Sequence, residues 1–298
     1  MKKVLLFVSV VACANFAYAG PEPEPALIGG MIAKEGDFPS VIHISAGGSR
    51  CSAAVVGPRT ILTAAHCVAD KKNISPVSAV FQVSTTVFQA ECRHHPNYEG
   101  NYSYDYALCK TSSPVNIKKY ASIDHQFVGL GKKVTLMGYG CVNPRDKYGI
   151  GGDGWDGRLR YGYVRVEKPA GMSGEGGPYF ETRGATALCF GDSGGPAMRY
   201  MSDPKEENHF VIGVNSRADI RTKSYISATF VKGFQDWAKD YAEAHKVEIC
   251  GINKKCTFET RNKSRCFWSN WKMNLYKRKF DKWEMRHDNC MAGDDVIE

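Results

Sequence analysis

The most informative segment of this chain is the hexapeptide Gly191-Asp192-Ser193-Gly194-Gly195-Pro196. A serine hydroxyl is an effective nucleophile only when a base takes its proton and dipoles stabilise the oxyanion that follows. Glycines on both sides let the backbone turn sharply, so that amide N–H groups can point at the developing negative charge. By itself the hexapeptide also fits an ordinary glycine-rich turn, or the Gly-x-Ser-x-Gly nucleophile elbow of a different hydrolase class.

Two segments upstream of the hexapeptide decide between these alternatives. Thr63-Ala64-Ala65-His66-Cys67 follows a short apolar run, and Asp105-Tyr106-Ala107-Leu108 opens another. The order along the chain is therefore His, Asp, Ser, which is one of the convergent orders of a catalytic triad and differs from the Ser, Asp, His order of nucleophile-elbow enzymes. Each segment alone fits a structural residue. Together the three segments predict nucleophilic catalysis by a triad.

These segments make the chain similar to the chymotrypsin/trypsin family of serine endopeptidases over residues 27–247. The resemblance also includes Leu27-Ile28-Gly29-Gly30 and Gly138-Tyr139-Gly140. It implies that His66 is the general base, that Asp105 orients the His66 ring and that Ser193 attacks the substrate carbonyl.

The resemblance further implies an oxyanion hole formed by the backbone N–H groups of Gly191 and Ser193, and a specificity pocket with Ala187 at its base. A substrate Lys or Arg would lack a buried counter-charge at Ala187, and burying an unpaired charge is costly. We therefore expect an uncharged, small or medium apolar residue before the scissile bond. The other residues that the resemblance places at the pocket are Ser216, Arg217, Ala218 and Ser224. Arg217 is either a mobile cation in place of an aromatic platform or a solvated surface charge.

The apolar segments between residues 28 and 226 are short and are separated by Gly, Pro, Asn and Asp, which is typical of antiparallel β-structure. The resemblance implies two antiparallel six-stranded β-barrels with the active site in the cleft between them. From residue 230 to residue 245 the apolar period becomes helical. We therefore expect an all-β fold of two barrels closed by a C-terminal helix over residues 27–247, followed by a small disulfide-rich extension.

The amino-terminal residues have the pattern of an export signal. Met1-Lys2-Lys3 is positively charged, residues 4–12 are apolar, and Ala17-Tyr18-Ala19 is a small-x-small cleavage site, so residues 1–19 are predicted to be a signal peptide. The apolar run is too short for a transmembrane anchor. We expect a secreted or periplasmic protein; the alternative is a lipoprotein signal that leaves the chain anchored through Cys13.

Residues 20–26 are acidic and rich in proline, which predicts an extended propeptide. Leu27-Ile28-Gly29-Gly30 resembles the mature amino terminus of the family. The resemblance implies that the new α-amino group of Leu27 pairs with Asp192 and orders the oxyanion hole, so that the chain is made as a zymogen. Ala26 precedes this site where many relatives have Arg or Lys, which predicts an activating protease that is not trypsin-like.

The chain has eleven cysteines, and either form of the export signal removes Cys13 from the thiol pool. The remaining even number is typical of a disulfide framework in an exported protein. The resemblance implies the pairs Cys51–Cys67 and Cys92–Cys109. The usual downstream partner of Cys189 is absent, so we pair Cys189 with Cys141. No close Cys and His spacing indicates a metal site.

The extension, residues 248–298, lies beyond the usual end of the family. Its cysteines, an even set that predicts two internal disulfides of open connectivity, are Cys250, Cys256, Cys266 and Cys290. It is either a structural appendage packed on the protease or, since basic and aromatic residues interleave in it, a binding module for an envelope component or another polyanionic surface. The net charge of +8 permits such a partner, whereas nucleic acid is not expected for an exported protein.

Two classes of function follow from these patterns. The first is an exported, monomeric serine endopeptidase that hydrolyses protein or peptide substrates through an acyl-enzyme, with no metal or organic cofactor. The alternative is a catalytically silent adhesion or binding protein on a protease scaffold. Lipase or esterase chemistry is disfavoured by the chain order. The complete set of triad residues favours the endopeptidase.

Overall fold

The computed structural model describes residues 27–46, 49–68, 77–80, 85–88, 90–98, 104–143, 155–171, 177–205 and 208–256. The predicted signal peptide with Cys13, the predicted propeptide, and the part of the extension that holds Cys266 and Cys290 lie outside the described residues. Those features stay predictions.

The chain forms short strands in two groups. The first group comprises β1 (Met31–Ile32), β2 (Val41–Ala46), β3 (Ser49–Gly57), β4 (Thr60–Thr63), β5 (Val77–Val80), β6 (Thr85–Phe88), β7 (Ala90–His94) and β8 (Ala107–Thr111), with a short 3-10 helix at Ala65–Cys67. The second group comprises β9 (Ser122–Ile123), β10 (Lys133–Gly138), β11 (Arg160–Lys168), β12 (Tyr179–Arg183), β13 (Pro196–Arg199), β14 (Phe210–Ala218) and β15 (Lys223–Ala228), followed by helix α1 (Lys232–His245).

The strands build two sheets, each formed mainly by one half of the chain. The first sheet has the order β6-β5-β2-β3-β4-β8-β7, and all its pairings are antiparallel. In the second, the six strands β11, β10, β13, β14, β15 and β12 form a closed ring, because β12 pairs with both β15 and β11. β1 adds to β11, and β9 adds to β14 in parallel. The predicted all-β class and double-barrel fold are confirmed.

Each sheet buries its own hydrophobic core. In β11 buried residues alternate with partly exposed ones over much of the strand, as expected for a strand with one face on a core. Ile42, Leu62 and Leu108 belong to the core of the first sheet, and Leu136 and Phe180 to that of the second. The cleft between the two sheets is where side chains from both halves of the chain can meet.

Helix α1 follows the last strand of the second barrel but packs on the core of the first sheet. Phe234, Ala238 and Tyr241 are buried there, and the Phe234 ring lies 4.8 Å from that of Tyr106. The helix ends where Lys246 adopts a left-handed conformation and its N–H bonds back to the last turn. None of the described helices is long and apolar enough to span a membrane.

The described start of the extension also packs on the first sheet. Cys250 forms a disulfide with Cys256, its N–H donates to the Val56 carbonyl, and its carbonyl accepts from the Ile123 N–H. Ile249 and Cys250 are fully buried. Ile249 is therefore part of the core of the first sheet, with Cys250 buried next to it, while the predicted boundary after residue 247 stays a prediction.

Candidate active site

His66 and Asp105 are brought together by the pairing of β4 with β8. Thr63 at the end of β4 lies opposite Ala107 at the start of β8, so the residues just beyond these ends are neighbours. The His66 Nδ1 lies 2.7 Å from Asp105 Oδ2, and the His66 backbone N–H donates to Asp105 Oδ1 at 2.9 Å. Asp105 is fully buried, whereas the His66 side chain is 28% exposed. The imidazole therefore has one edge on a buried carboxylate and the other toward the cleft.

Ser216 in β14 completes the surroundings of Asp105. Its hydroxyl donates to Asp105 Oδ2 at 2.6 Å, so a residue of the second barrel holds a carboxylate of the first half of the chain. An ionised carboxylate only accepts hydrogen bonds, which fixes the proton of a neutral His66 on Nδ1 and leaves Nε2 as an acceptor. From the sequence, Ser216 is predicted at the specificity pocket; its contact with Asp105 could not be predicted, because no local pattern shows which side chains meet across the cleft.

Ser193 lies in the loop before β13 and is tied to the first sheet through its backbone. The Ser193 carbonyl accepts from the Ser52 N–H at 2.7 Å. Ser52 follows Cys51, which forms a disulfide with Cys67, the residue next to His66. Within the described residues no hydrogen bond joins the Ser193 hydroxyl to His66; such contacts are often long in enzymes without substrate. The three predicted triad residues thus lie on adjoining elements at the cleft.

Two backbone N–H groups beside Ser193 are available to a ligand. Among the described residues, the N–H groups of Gly191 and Ser193 donate no hydrogen bond, whereas those of Asp192, Gly194 and Gly195 all do. The Phe190 carbonyl accepts from the Cys141 N–H, and the Asp192 carbonyl accepts from the Gly195 N–H. In a planar trans peptide the N–H points away from the carbonyl of the same unit. The bonded carbonyls therefore fix the direction of both N–H groups, and their role as an oxyanion hole stays a prediction.

The Asp192 carboxylate is fully buried beside this loop. It accepts from the Gly140 N–H and from the Cys189 N–H, each at 2.8 Å. Burial raises the pKa of Asp192 to about 7, although these two hydrogen bonds act to lower it. Leu27 is fully buried in the core of the second barrel, and within the described residues no hydrogen bond or ion pair joins it to Asp192. The predicted ion pair between these two residues stays a prediction for the processed chain.

The predicted pocket residues lie together on the second barrel. Ala187 is fully buried and its N–H donates to the Ile28 carbonyl at 2.9 Å. Next to it, the Leu188 N–H donates to the hydroxyl of the buried Ser224 at 3.1 Å. The Arg217 guanidinium lies 4.5 Å from the ring centre of Tyr225 and 5.1 Å from that of Tyr179, and Ala218 beside it is half-buried. Arg217 therefore stacks on aromatic rings and is not a freely solvated charge.

Comparison with known proteins shows the family to which this chain belongs. The family described as Trypsin matches residues 27–238. The chain belongs to the trypsin family. Trypsin-family proteins are serine proteases, and the predicted resemblance is confirmed.

Relatives of this trypsin-family chain occur in an insect, a bacterium and a mammal. "Serine protease SP24D" of Anopheles gambiae is 28% identical over 58% of this chain and 67% of its own length. "Trypsin-like protease" of Streptomyces glaucescens is 26% identical over 78% of this chain and 88% of its own length. "Chymotrypsin-like elastase family member 1" of Rattus norvegicus is 25% identical over 66% of this chain and 82% of its own length. These similarities support a serine protease of the trypsin family and leave its substrates open.

Three disulfides brace the trypsin-family domain. The structure contains Cys51–Cys67, Cys92–Cys109 and Cys141–Cys189. The first lies beside His66 and the third beside the nucleophile loop. Because Cys51 and Cys67 are bonded to each other, their sulfurs do not form a metal site with the nearby His66.

Gly194→Ala is expected to destabilise the protein and to lower turnover. Gly194 has a φ of +80°, and a Cβ there would overlap the Thr63 Oγ1 and the Ser52 carbonyl. The left-handed backbone alone costs an alanine about 1–2 kcal/mol, and the overlap moves the nucleophile loop away from the first sheet. Gly131→Ala is the matched control, because Gly131 has a φ of +74° with nothing near its missing Cβ. Thermal unfolding and peptide hydrolysis measure both effects; equal losses in the two variants would contradict the role of the contact.

Proposed function

We propose that this chain is an exported serine endopeptidase that cleaves protein or peptide substrates through His66, Asp105 and Ser193. One observation carries the proposal: the buried Asp105 binds His66 and Ser216 beside a loop whose Gly191 and Ser193 N–H groups donate no hydrogen bond to any described residue. That is the set of groups that acyl transfer needs, namely a base, a residue that orients it, a nucleophile and oxyanion donors. Membership of the trypsin family supports the same reaction.

The proposed mechanism follows from the hydrogen-bond pattern. The Nε2 of His66 takes the proton of the Ser193 hydroxyl as its oxygen attacks the scissile carbonyl, and Asp105 stabilises the imidazolium that forms. The N–H groups of Gly191 and Ser193 bind the oxyanion of the tetrahedral intermediate; one such donor contributes about 10²–10³ to turnover. His66 then gives the proton to the leaving amine. A water molecule, activated in the same way, hydrolyses the acyl-enzyme on Ser193.

Labelling with a fluorophosphonate, which modifies activated serines, tests the proposal. Protein processed to start at Leu27 is expected to carry the label on Ser193, and Ser193→Ala protein is expected to carry none. Export is tested with the same samples by sequencing the amino terminus of secreted or periplasmic protein. Absence of label from correctly processed, folded protein would favour the alternative, a catalytically silent binding protein on a protease scaffold.

Activation is proposed to proceed by removal of residues 20–26. The freed α-amino group of Leu27 would then pair with Asp192, a buried carboxylate whose partners among the described residues are backbone N–H groups. The burial of Leu27 and the pairing of Ile28 with Ala187 support a position of this segment in the second barrel. Placing a cation at Asp192 would compensate the cost of burying its charge.

The pH dependence of stability is expected to differ between the unprocessed and processed chains. In the unprocessed folded chain the pKa of Asp192 is about 7, whereas its ordinary value is 3.8. As the pH rises, the unfolded chain therefore loses the Asp192 proton at a lower pH than the folded chain does. The protonated Asp192 therefore contributes to the free energy of unfolding, by on the order of a few kcal/mol. This contribution is complete below pH 3.8 and is lost as the pH rises through about 7. The ammonium group of Leu27 lowers the pKa of Asp192 and removes this loss in the processed chain.

Chemical denaturation between pH 4 and pH 8 measures the difference. The Ser193→Ala background prevents self-cleavage, and Asp192→Asn is the control that abolishes the titration in both forms. Equal pH slopes for the unprocessed and processed chains would contradict the ion pair.

The cleavage specificity is expected to exclude Lys and Arg before the scissile bond. Ala187 offers no counter-charge, so peptides with Lys or Arg should be cleaved at least about 100-fold more slowly than those with small apolar residues. Ala187→Asp is expected to raise cleavage after Lys and Arg, whereas the same change at the exposed Ala185 is not. A peptide library read by mass spectrometry measures both outcomes. Wild-type cleavage mainly after Lys or Arg would contradict the pocket assignment.

The proposed location is secreted or periplasmic, and the proposed substrates are proteins or peptides. A polyanionic or envelope partner for the extension, residues 248–298, stays a prediction, because residues 257–298 lie outside the described part of the chain.

A further inference from the structure

The Cys141–Cys189 disulfide joins two segments that the sheet itself does not hold together. β10 ends at Gly138 and β13 begins at Pro196, and these strands pair only over Val134–Leu136 and Ala197–Arg199. Beyond the paired region, the segment after β10 continues to Cys141, and the segment that leads to β13 contains Cys189. The Cα atoms of Cys141 and Cys189 lie 5.3 Å apart. Both cysteines are buried. The disulfide therefore extends the β10–β13 contact to the loop that carries Ser193.

Three hydrogen bonds, each donated by a backbone N–H group, connect the disulfide to the predicted oxyanion hole. The Cys141 N–H holds the Phe190 carbonyl at 2.8 Å, which orients the Gly191 N–H. The N–H groups of Gly140 and Cys189 hold the two oxygens of Asp192, also at 2.8 Å. Each of these three donors belongs to a bridged cysteine or to its direct neighbour. Two of the three bonds, those from Gly140 and Cys141, run between the bridged segments, so a change in the distance between Cys141 and Cys189 acts directly on them.

The peptide unit between Phe190 and Gly191 has few other restraints. The Ser52 hydroxyl and N–H hold the carbonyls of Gly191 and Ser193, but among the described residues only the Cys141 N–H bonds the Phe190–Gly191 unit. The Phe190 side chain is 51% exposed, and Gly191 has no side chain and a φ of +96°. Glycine loses more conformational entropy on ordering than any other residue, so such a pair is intrinsically mobile. The indole of Trp155 covers one side of Gly191 but makes no hydrogen bond with it among the described residues. The disulfide is the covalent restraint nearest to this peptide.

We propose that the Cys141–Cys189 disulfide is a positioning element for the oxyanion hole, which keeps the Gly191 N–H aimed at the substrate carbonyl. This inference rests on the proposed serine endopeptidase activity and adds a function for a disulfide next to the catalytic loop. The bridge acts on the transition state, where the oxyanion exists, and not on the binding of the substrate. Its loss therefore lowers kcat and leaves KM nearly constant.

The test compares two double variants of the processed full chain. Cys141→Ser/Cys189→Ser removes the proposed positioning bridge, and Cys92→Ser/Cys109→Ser removes the bridge between β7 and β8 as a matched control. For an apolar peptide anilide the first is expected to lose about 10²–10³ in kcat with KM within about 3-fold, the effect of one oxyanion donor. The control is expected to keep kcat within about 3-fold, as for a change outside the site. An unchanged kcat in the first variant, or an equal loss in the control, would overturn the proposal.

Amide hydrogen exchange provides a readout that does not need activity. In the first variant the hydrogen-bonded amides of residues 140, 141, 189 and 192 are expected to exchange at least about 10-fold faster, while those of His66 and Cys67 stay protected. If the wild-type protein neither labels nor cleaves peptides, the proposed function fails, and exchange still tests the positioning role.

Asp192→Asn with the bridge intact covers the case in which the first variant does not fold. We expect the hydrogen-bonded amides of residues 141 and 192 to stay protected within about 3-fold, because the disulfide still holds the segment. Loss of their protection in Asp192→Asn protein that is otherwise folded would show that the side chain of residue 192, and not the bridge, orders the oxyanion hole.

Discussion

Ser193→Ala is expected to lower kcat/KM for peptide hydrolysis by about 10⁵–10⁶-fold, since the change removes the nucleophile and leaves only the oxyanion donors and substrate binding. Stability should change little. The side chain of Ser193 makes no hydrogen bond within the described residues, and the residue is only partly buried. Active-site-titrated hydrolysis of an apolar peptide anilide measures the loss, and thermal unfolding checks the fold.

Ser52→Ala is the informative comparison for this result. The Ser52 hydroxyl donates to the Gly191 carbonyl and accepts from the Tyr139 N–H, so its removal disturbs the support of the loop but not the nucleophile. Each lost hydrogen bond costs about 0.5–1.5 kcal/mol, so we expect a lower unfolding temperature and only a partial loss of kcat. Ser193→Ala protein that retains a tenth of wild-type activity would show that another residue is the nucleophile.

The fold and the triad could be predicted because their signals are local. The glycine-flanked Ser193, the His66 segment and the Asp105 segment each occupy a few consecutive residues, and their order along the chain distinguishes the class of hydrolase. The strand pattern is equally local, because apolar runs broken by turn residues reflect one-sided burial. The pairing of β4 with β8 then places His66 and Asp105 at adjacent strand ends.

The support of the site could not be predicted, because it depends on contacts between distant segments. The hydrogen bond from Ser216 to Asp105 joins residues 111 positions apart. The sequence identifies Gly194 only as a glycine, whereas the fold shows that Thr63 and Ser52 occupy the space of its missing Cβ. The pairing of Cys250 with Cys256 was likewise open, since four cysteines allow several connectivities.

The position of Arg217 could not be predicted from the sequence either, and it bears on the cleavage specificity. From the sequence, a mobile cation at the pocket and a solvated surface charge were equally compatible. In the fold the guanidinium stacks on Tyr225 and Tyr179, two residues of neighbouring strands. A cation fixed in this way beside Ala218 adds positive charge to the rim of the proposed pocket. This agrees with the expectation that Lys and Arg are poor residues before the scissile bond.

Asp105→Asn is expected to lower kcat by about 10⁴-fold with little change in KM. Asp105 Oδ2 accepts from His66 Nδ1 and from Ser216, and Oδ1 accepts from the His66 N–H. An asparagine has one carbonyl oxygen, so its amide group must face one of these donors. With the amide toward the ring, Nδ1 becomes the acceptor and Nε2 carries the proton, and His66 can no longer take the proton of Ser193.

Ser216→Ala separates this tautomer effect from a general weakening of the Asp105 site. It removes one of three donors and leaves the carboxylate charged, so kcat should fall only about 3–10-fold, the value of one hydrogen bond. Steady-state kinetics on one apolar peptide substrate, with thermal unfolding of each variant, compares the two changes. If Asp105→Asn stays within 10-fold of wild type, or if Ser216→Ala is equally inactive, Asp105 does not act by fixing the His66 tautomer. A 10³-fold gap between the two variants means that the negative charge and the acceptor geometry of Asp105, and not the mere presence of a buried polar group, make His66 a base.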